Sequence, residues 1–192
     1  MDILLIDNND SFTFNLYHLI RDVSGKNDKV SVVGGDSWDP EGAADADHIV
    51  FSPGPGLPEE FPLMRAVLSL HGNRTPILGV CLGHQSIGEY FGGSLTPLSL
   101  PFHGVKSTIR RVGESRLLAG LPAYIDVARY HSWVLDRQSL PQCLVVTAED
   151  HDGDVMAMEH RESNIFGVQF HPESFLTEVG GQIMKNFLNI VP

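Results

Sequence analysis

Cysteine is almost absent from this sequence. Only Cys81 and Cys143 occur in 192 residues, and they form no Cys-x-x-Cys pair, which argues against a disulfide framework and a structural zinc knuckle. Basic residues are also scarce: 13 Lys and Arg face 24 Asp and Glu, for a formal charge of −11. Nucleic acids and anionic membranes are bound through clustered cations, and none cluster here, so neither nucleic acid nor membrane is expected as a partner. No apolar run approaches the ~18 residues of a membrane helix. The first residues, MDILLID, carry neither the basic nor the apolar stretch of a secretory signal, and the expected location is cytoplasmic. With 42% hydrophobic and 19% charged residues, no internal repeat and no linker-like segment, residues 1–192 read as a single domain.

What is present is an alternation of strand-like and helix-like segments. Asp2–Asp7 (DILLID) is a buried-strand run, and residues 11–22 place Phe12, Leu16, Leu19 and Ile20 at helical spacing behind the cap candidates Asp10 and Ser11. Strands at 29–33 and 48–52, a helix at 61–70, a strand at 76–81 and a helix at 82–91 follow. Strands that are apolar throughout, alternating with helices, predict an α/β fold: an open, mostly parallel twisted sheet with helices on both faces. Beyond Gly92 come strand-like segments separated by turns (VKSTIRRV, AYIDVARYH, CLVVTAE, VMAMEHR, IFGVQFHP) and a last amphipathic helix ending near Asn189. That texture predicts a mixed or antiparallel extension in the second half.

In ILGVCLGHQ the thiol of Cys81 lies between Gly79 and Gly83. A strand turning sharply into a helix forces the residue at the bend into a strained backbone and leaves no room for neighbouring Cβ atoms, which predicts a nucleophile exposed at the sheet edge. No serine has glycine at both flanking positions, so the nucleophile of such an elbow is the thiol. The start of the following helix favours thiolate over thiol. Open α/β sheets bind ligands at the carboxyl ends of their parallel strands, and three loops converge there: 7–10 (DNND), 52–56 (SPGPG) and Cys81.

A thiol nucleophile needs a base, and the base needs an orienter. His171 closes the apolar strand GVQF and is followed by Pro172 and Glu173, whose restricted backbone predicts an extended segment with both side chains on one side. Cys81, His171 and Glu173 are the expected triad. The oxyanion formed on attack needs backbone donors; Leu82, at the helix start, supplies one N–H, and within SPGPG only Gly54 and Gly56 can donate. A zinc site built from Cys81, His84, His131 and His171 is the alternative, although Cys-x-x-His without a second ligand pair is a weak metal signature. No metal and no cofactor are expected.

GVCLGHQ, with QFHPES downstream and SPGPG upstream, resembles the class I glutamine amidotransferases. DNNDSFTFNL and ARYHSWV narrow the resemblance to the small subunits of anthranilate synthase and aminodeoxychorismate synthase. The resemblance implies hydrolysis of L-glutamine to glutamate and ammonia, with ammonia passed to chorismate on a separate synthase subunit (component I). It assigns Cys81 as nucleophile, His171 as base, Glu173 as orienter and Gly56 and Leu82 as oxyanion donors. It also places Gly54, Pro55, Gly56, Gln85, Ser132 and Trp133 against substrate. Two segments depart from the family pattern: His103-Gly104-Val105 stands where His-Gly-Lys is common, with Lys106 one place later, and Glu60-Phe61-Pro62 replaces Glu-Ala-Gly. Two other readings stay open, a hydrolase acting on another amide or γ-glutamyl substrate and a catalytically silent docking subunit.

Overall fold

The computed structural model describes residues 1–34 and 38–191. In β1 (Asp2–Asp7), Ile3 and Leu5 point to one face of the sheet and Leu4 and Ile6 to the other, and all four are buried. A strand apolar on both sides needs cover on both sides. On the first face Ile3 and Leu5 join Leu16 and Ile20 of α1 (Thr13–Val23) and Ile183, Met184 and Phe187 of α4 (Gly180–Leu188). On the second, Leu4 and Ile6 join Met64, Val67 and Leu68 of α2 (Pro62–His71) and Ile87 of α3 (Leu82–Tyr90). Each such Leu or Ile, fully buried, contributes roughly 1.5–3 kcal/mol.

Among the described residues the main sheet has nine strands. β2 (Lys29–Gly34), β1, β3 (His48–Phe51), β4 (Ile77–Val80) and β11 (Ile165–Val168) lie side by side in parallel. From β11 the sheet continues antiparallel through β10 (Val155–His160), β9 (Leu144–Glu149), β6 (Val105–Arg111) and β7 (Tyr124–Arg129). The parallel, helix-covered half and the antiparallel extension are both as the sequence predicts. β11 is where the two halves meet: it pairs in parallel with β4, Val80 opposite Val168, so residues following each strand emerge together.

The structure differs from the sequence expectations locally. The segment AYIDVARYH is strand only to Arg129, where β7 stops, and beyond it Trp133–Leu135 forms β8, paired antiparallel with β5 (Leu95–Pro97) in a separate two-stranded ribbon. α1 starts at Thr13, two residues later than expected. The Asp10 carboxylate accepts from Phe12 N–H at 2.7 Å and its carbonyl from Thr13 N–H at 3.2 Å, while Ser11 stays exposed.

Candidate active site

Cys81 sits between β4 and α3 with φ 52° and ψ −100°. Among the described residues only Asn9 is another non-glycine with positive φ, and such a backbone costs about 1–3 kcal/mol. Both flanking glycines have a steric reason. A Cβ on Gly79 would lie 2.4 Å from the Gly83 carbonyl, and one on Gly83 would lie 2.7 Å from Phe51 Cβ. The first absence lets the helix fold back onto its own strand; the second lets it rest on β3. The thiol is less open than the sequence predicts: Cys81 is 6% exposed and is reached through a cleft of about 390 Å³.

His171 follows β11 and is tied to the end of β7, its N–H donating to the Ala128 carbonyl at 3.0 Å. Its Nδ1 is 2.7 Å from Glu173 Oε1, with side chains 3% and 0% exposed. The two meet through a turn rather than the extended backbone expected from proline, because Ser174 N–H donates back to the His171 carbonyl at 3.3 Å. The Thr177 hydroxyl fastens this turn, accepting from Ala128 N–H at 2.9 Å and donating to the His171 carbonyl at 2.8 Å. Phe12 and Tyr130 pack against the imidazole at centroid distances of 5.7 and 4.8 Å.

With Nδ1 engaged, Nε2 is the nitrogen left to Cys81; it is buried without an aligned hydrogen-bond partner. Burial alone would push the His171 pKa down, but the nearby Cys81 sulfur and the hydrogen bond and charge of Glu173 outweigh it and push it up to about 10. At neutral pH the imidazole therefore holds a proton opposite the sulfur.

The cleft that holds Cys81 is lined by Gly54, Pro55, Gly56, Gln85, Ser132 and Trp133. All the pocket residues named from sequence thus share one cavity. Gly54 and Gly56 are demanded locally. A Cβ on Gly54 would fall 2.5 Å from Leu82 Cδ2, and Gly56 has φ +72° with the Glu60 carboxylate where its Cβ would stand. Glu60, part of a departure from the family pattern, braces the loop by accepting from Leu57 N–H at 2.7 Å. The N–H groups of Gly56 and Leu82 have no acceptor among the described residues.

Two residues that sequence reasoning missed, Arg129 and Gln169, stand behind this pocket, and His131, named from sequence only in the zinc alternative, lines it. Arg129, fully buried, donates to Asp150 at 2.6 Å and through Nε to His131 Nε2 at 3.0 Å, and stacks on Phe102 at 3.6 Å. His131 in turn contacts the Trp133 carbonyl through Nδ1 at 3.0 Å. Burial and then the Arg129 charge lower the His131 pKa to about 3, so it is neutral. Both ring nitrogens are committed, which removes His131 from the zinc alternative. Gln169, 0% exposed, contacts both Cys81 and Gln85. Its signal in the sequence is the strand-like run IFGVQFHP, in which it stands two residues before His171; β11 itself ends at Val168.

His84, also in the proposed zinc set, is buried with neither ring nitrogen hydrogen-bonded. Burial lowers its pKa to about 3. It fits because Gly167 has no Cβ, which would lie 2.6 Å from Nδ1.

The family model of class I glutamine amidotransferases matches residues 4–191. The chain is 41% identical over 192 residues to aminodeoxychorismate synthase component 2 of Escherichia coli, covering 97% of this chain and 99% of that protein. It is 42% identical over 196 residues to anthranilate synthase component 2 of Pseudomonas aeruginosa, covering 97% and 94%. Among solved structures it is similar to a candidate GMP synthase subunit from Thermoplasma acidophilum, with TM-score 0.87, 26% identity and coverage of 98% and 92%. Matched along nearly its whole length, this chain belongs to the class I glutamine amidotransferase family and is a glutamine amidotransferase.

Proposed function

We propose that this chain is the glutaminase subunit of anthranilate synthase, supplying ammonia to a chorismate-binding component I. The observation that carries the chemistry is Cys81 on its strained elbow beside the His171–Glu173 pair, sharing a cleft with Gly56 and followed by Leu82, whose N–H groups have no acceptor among the described residues. Cys81 Sγ attacks the side-chain carbonyl carbon of L-glutamine, and the carbonyl oxygen becomes an oxyanion facing the two N–H donors. Collapse breaks the C–N bond. The nitrogen leaves as ammonia with the proton held on His171 Nε2, and a thioester remains. Water, losing a proton to the now neutral His171, adds to the thioester; the C–S bond breaks and glutamate leaves. Glutamine and water are consumed, and glutamate and ammonia are formed.

Gln85 fits substrate binding by elimination. Its Nε2 hydrogens go to the Trp133 carbonyl at 2.9 Å and Gln169 Oε1 at 3.1 Å, which leaves Oε1 as an acceptor for a donor group of glutamine. A docked subunit is supported by exposed apolar side chains beside the site: Leu100 next to the cleft wall, Phe14 at the start of α1 and Phe175 two residues after Glu173 are 77%, 61% and 87% exposed. Ammonia released without a docked acceptor is protonated by water and diffuses away.

The second reading, aminodeoxychorismate synthase, is favoured by the comparable identity to a relative of that name. Reconstitution with the chorismate-binding subunit of the same organism tests both, because the product, anthranilate or aminodeoxychorismate, identifies the reaction. Cys81→Ser is expected to abolish glutamine-dependent synthesis and spare synthesis driven by ammonium salt at alkaline pH. Retained glutamine use in that variant overturns the proposal.

A further inference from the structure

We propose that Gln169 is a further catalytic residue, whose side-chain N–H is forced to point at the Cys81 sulfur by a chain of hydrogen bonds that begins at the Trp133 carbonyl. The proposal rests on the glutaminase reading for its role in turnover, but the bond itself exists without glutamine.

A glutamine amide can face a neighbour with its oxygen or its nitrogen, so a contact alone does not fix the polarity. Here the polarity is fixed at the Trp133 carbonyl, which His131 and Gln85 share. Arg129 is only ever a donor. Its Nε donates to His131 Nε2 at 3.0 Å, so the proton of neutral His131 is on Nδ1 and is donated to the Trp133 carbonyl at 3.0 Å. That carbonyl is only ever an acceptor, so Gln85, 2.9 Å away, must present its NH₂ there. The same NH₂ lies 3.1 Å from Gln169, which must answer with its oxygen. The nitrogen of Gln169 is then left facing Cys81 Sγ at 3.5 Å. From that carbonyl to the sulfur, the direction of each bond follows from the one before it.

Gln169 is 0% exposed, so the amide has no water to turn towards, and an unmet polar group there is costly. An N–H pointed at sulfur favours the anion over the neutral thiol, because bonds to a charged acceptor are the stronger ones. Gln169 thus adds a second source of thiolate stabilisation beside the protonated imidazole. It also couples the nucleophile to Gln85, the residue assigned to bind substrate.

The test compares Gln169→Met, which keeps the volume and removes the donor, with Gln169→Glu, which keeps the oxygen facing Gln85 and replaces the donor by an acceptor. Cys81 alkylation by iodoacetamide is followed by mass spectrometry at neutral and alkaline pH, with Cys143 as internal control. A charge-assisted bond predicts a loss of about tenfold in the neutral-pH rate for Gln169→Met and a larger one for Gln169→Glu. At alkaline pH, where thiolate forms regardless, rates should match the unaltered protein. Equal alkylation at neutral pH overturns the proposal. Slowing at both pH values overturns it too, since it marks lost access rather than lost thiolate. Should Gln169→Met fail to give the native circular dichroism spectrum, Gln169→Glu carries the same comparison. Alkylation needs neither glutamine nor a partner subunit, so this result stands apart from whether the reconstituted complex uses glutamine.

Discussion

The strained elbow can be weighed by removing its cause. Cys81→Ala deletes the sulfur and keeps Cβ, hence the strain of φ 52° and ψ −100°. Cys81→Gly deletes both. These angles lie outside even the left-handed helical region, which places the cost near the upper end of the usual range, about 3 kcal/mol. Against its relief stand the greater freedom of glycine in the unfolded chain, roughly 0.4–1 kcal/mol, and the loss of one buried carbon, about 0.8 kcal/mol. Glycine is expected to be the more stable of the two by about 1.5 kcal/mol, read from urea midpoints at unchanged m-value or as ~3–6 °C in melting temperature. Both variants lack the thiol and hydrolyse no glutamine. If alanine proves as stable as glycine, the bend is unstrained and the account of Gly79 and Gly83 as its steric consequence fails.

Other perturbations follow from the same geometry. His171→Ala should lower glutamine turnover, measured as glutamate release, by about 10²–10⁴, and Glu173→Gln by less, since the amide oxygen can still hold Nδ1–H; equal losses with an intact fold would reduce Glu173 to a structural role. His84 and His131, with folded pKa values near 3, bind fewer protons folded than unfolded below the ordinary value of about 6.5. Stability should therefore fall as pH drops from about 6.5 towards 3, by up to ~1.4 kcal/mol per pH unit for each. His84→Leu should flatten that slope in urea melts, and an unchanged slope would refute it. His171 has the opposite sign: its contribution is present below about 6.5 and is lost as pH rises through about 10. Asp150→Ala leaves the Arg129 cation buried, both partners being 1% exposed, and should cost about 3–5 kcal/mol, at the lower end because Asp154 lies 3.8 Å from it; a melt within 1 °C of the unaltered protein, about 0.3 kcal/mol, would contradict this.

What the sequence discloses of this site is what is local. Gly79, Cys81 and Gly83 reveal the elbow because a bend imposes its steric demands within a few residues of itself, and the apolar runs of β1, β3 and β4 reveal the covered sheet in the same way. The base and its orienter are two residues apart and equally legible, although their backbone makes a turn that proline chemistry alone does not disclose. Arg129 and Asp150 are unremarkable in sequence; only the meeting of β7 with the turn after β9 makes them a buried pair. Gln169 is apparent only once β11 lies beside β4. The ribbon of β5 and β8 escapes because Leu95–Pro97 is short and contains proline, and its pairing partner is almost 40 residues away.

The seam between β4 and β11 also governs when the site comes into being. Cys81 N–H donates to the Val168 carbonyl at 2.8 Å, and Val80 pairs with Val168, 88 positions along the chain. Contacts of such separation form only after a long loop is closed, which is a slow and late event in folding. Until that loop closes, the cysteine has no imidazole beside it. Reactivity then arrives with the final closure of the sheet, and the Cys81 amide should exchange its hydrogen only through opening of the whole domain.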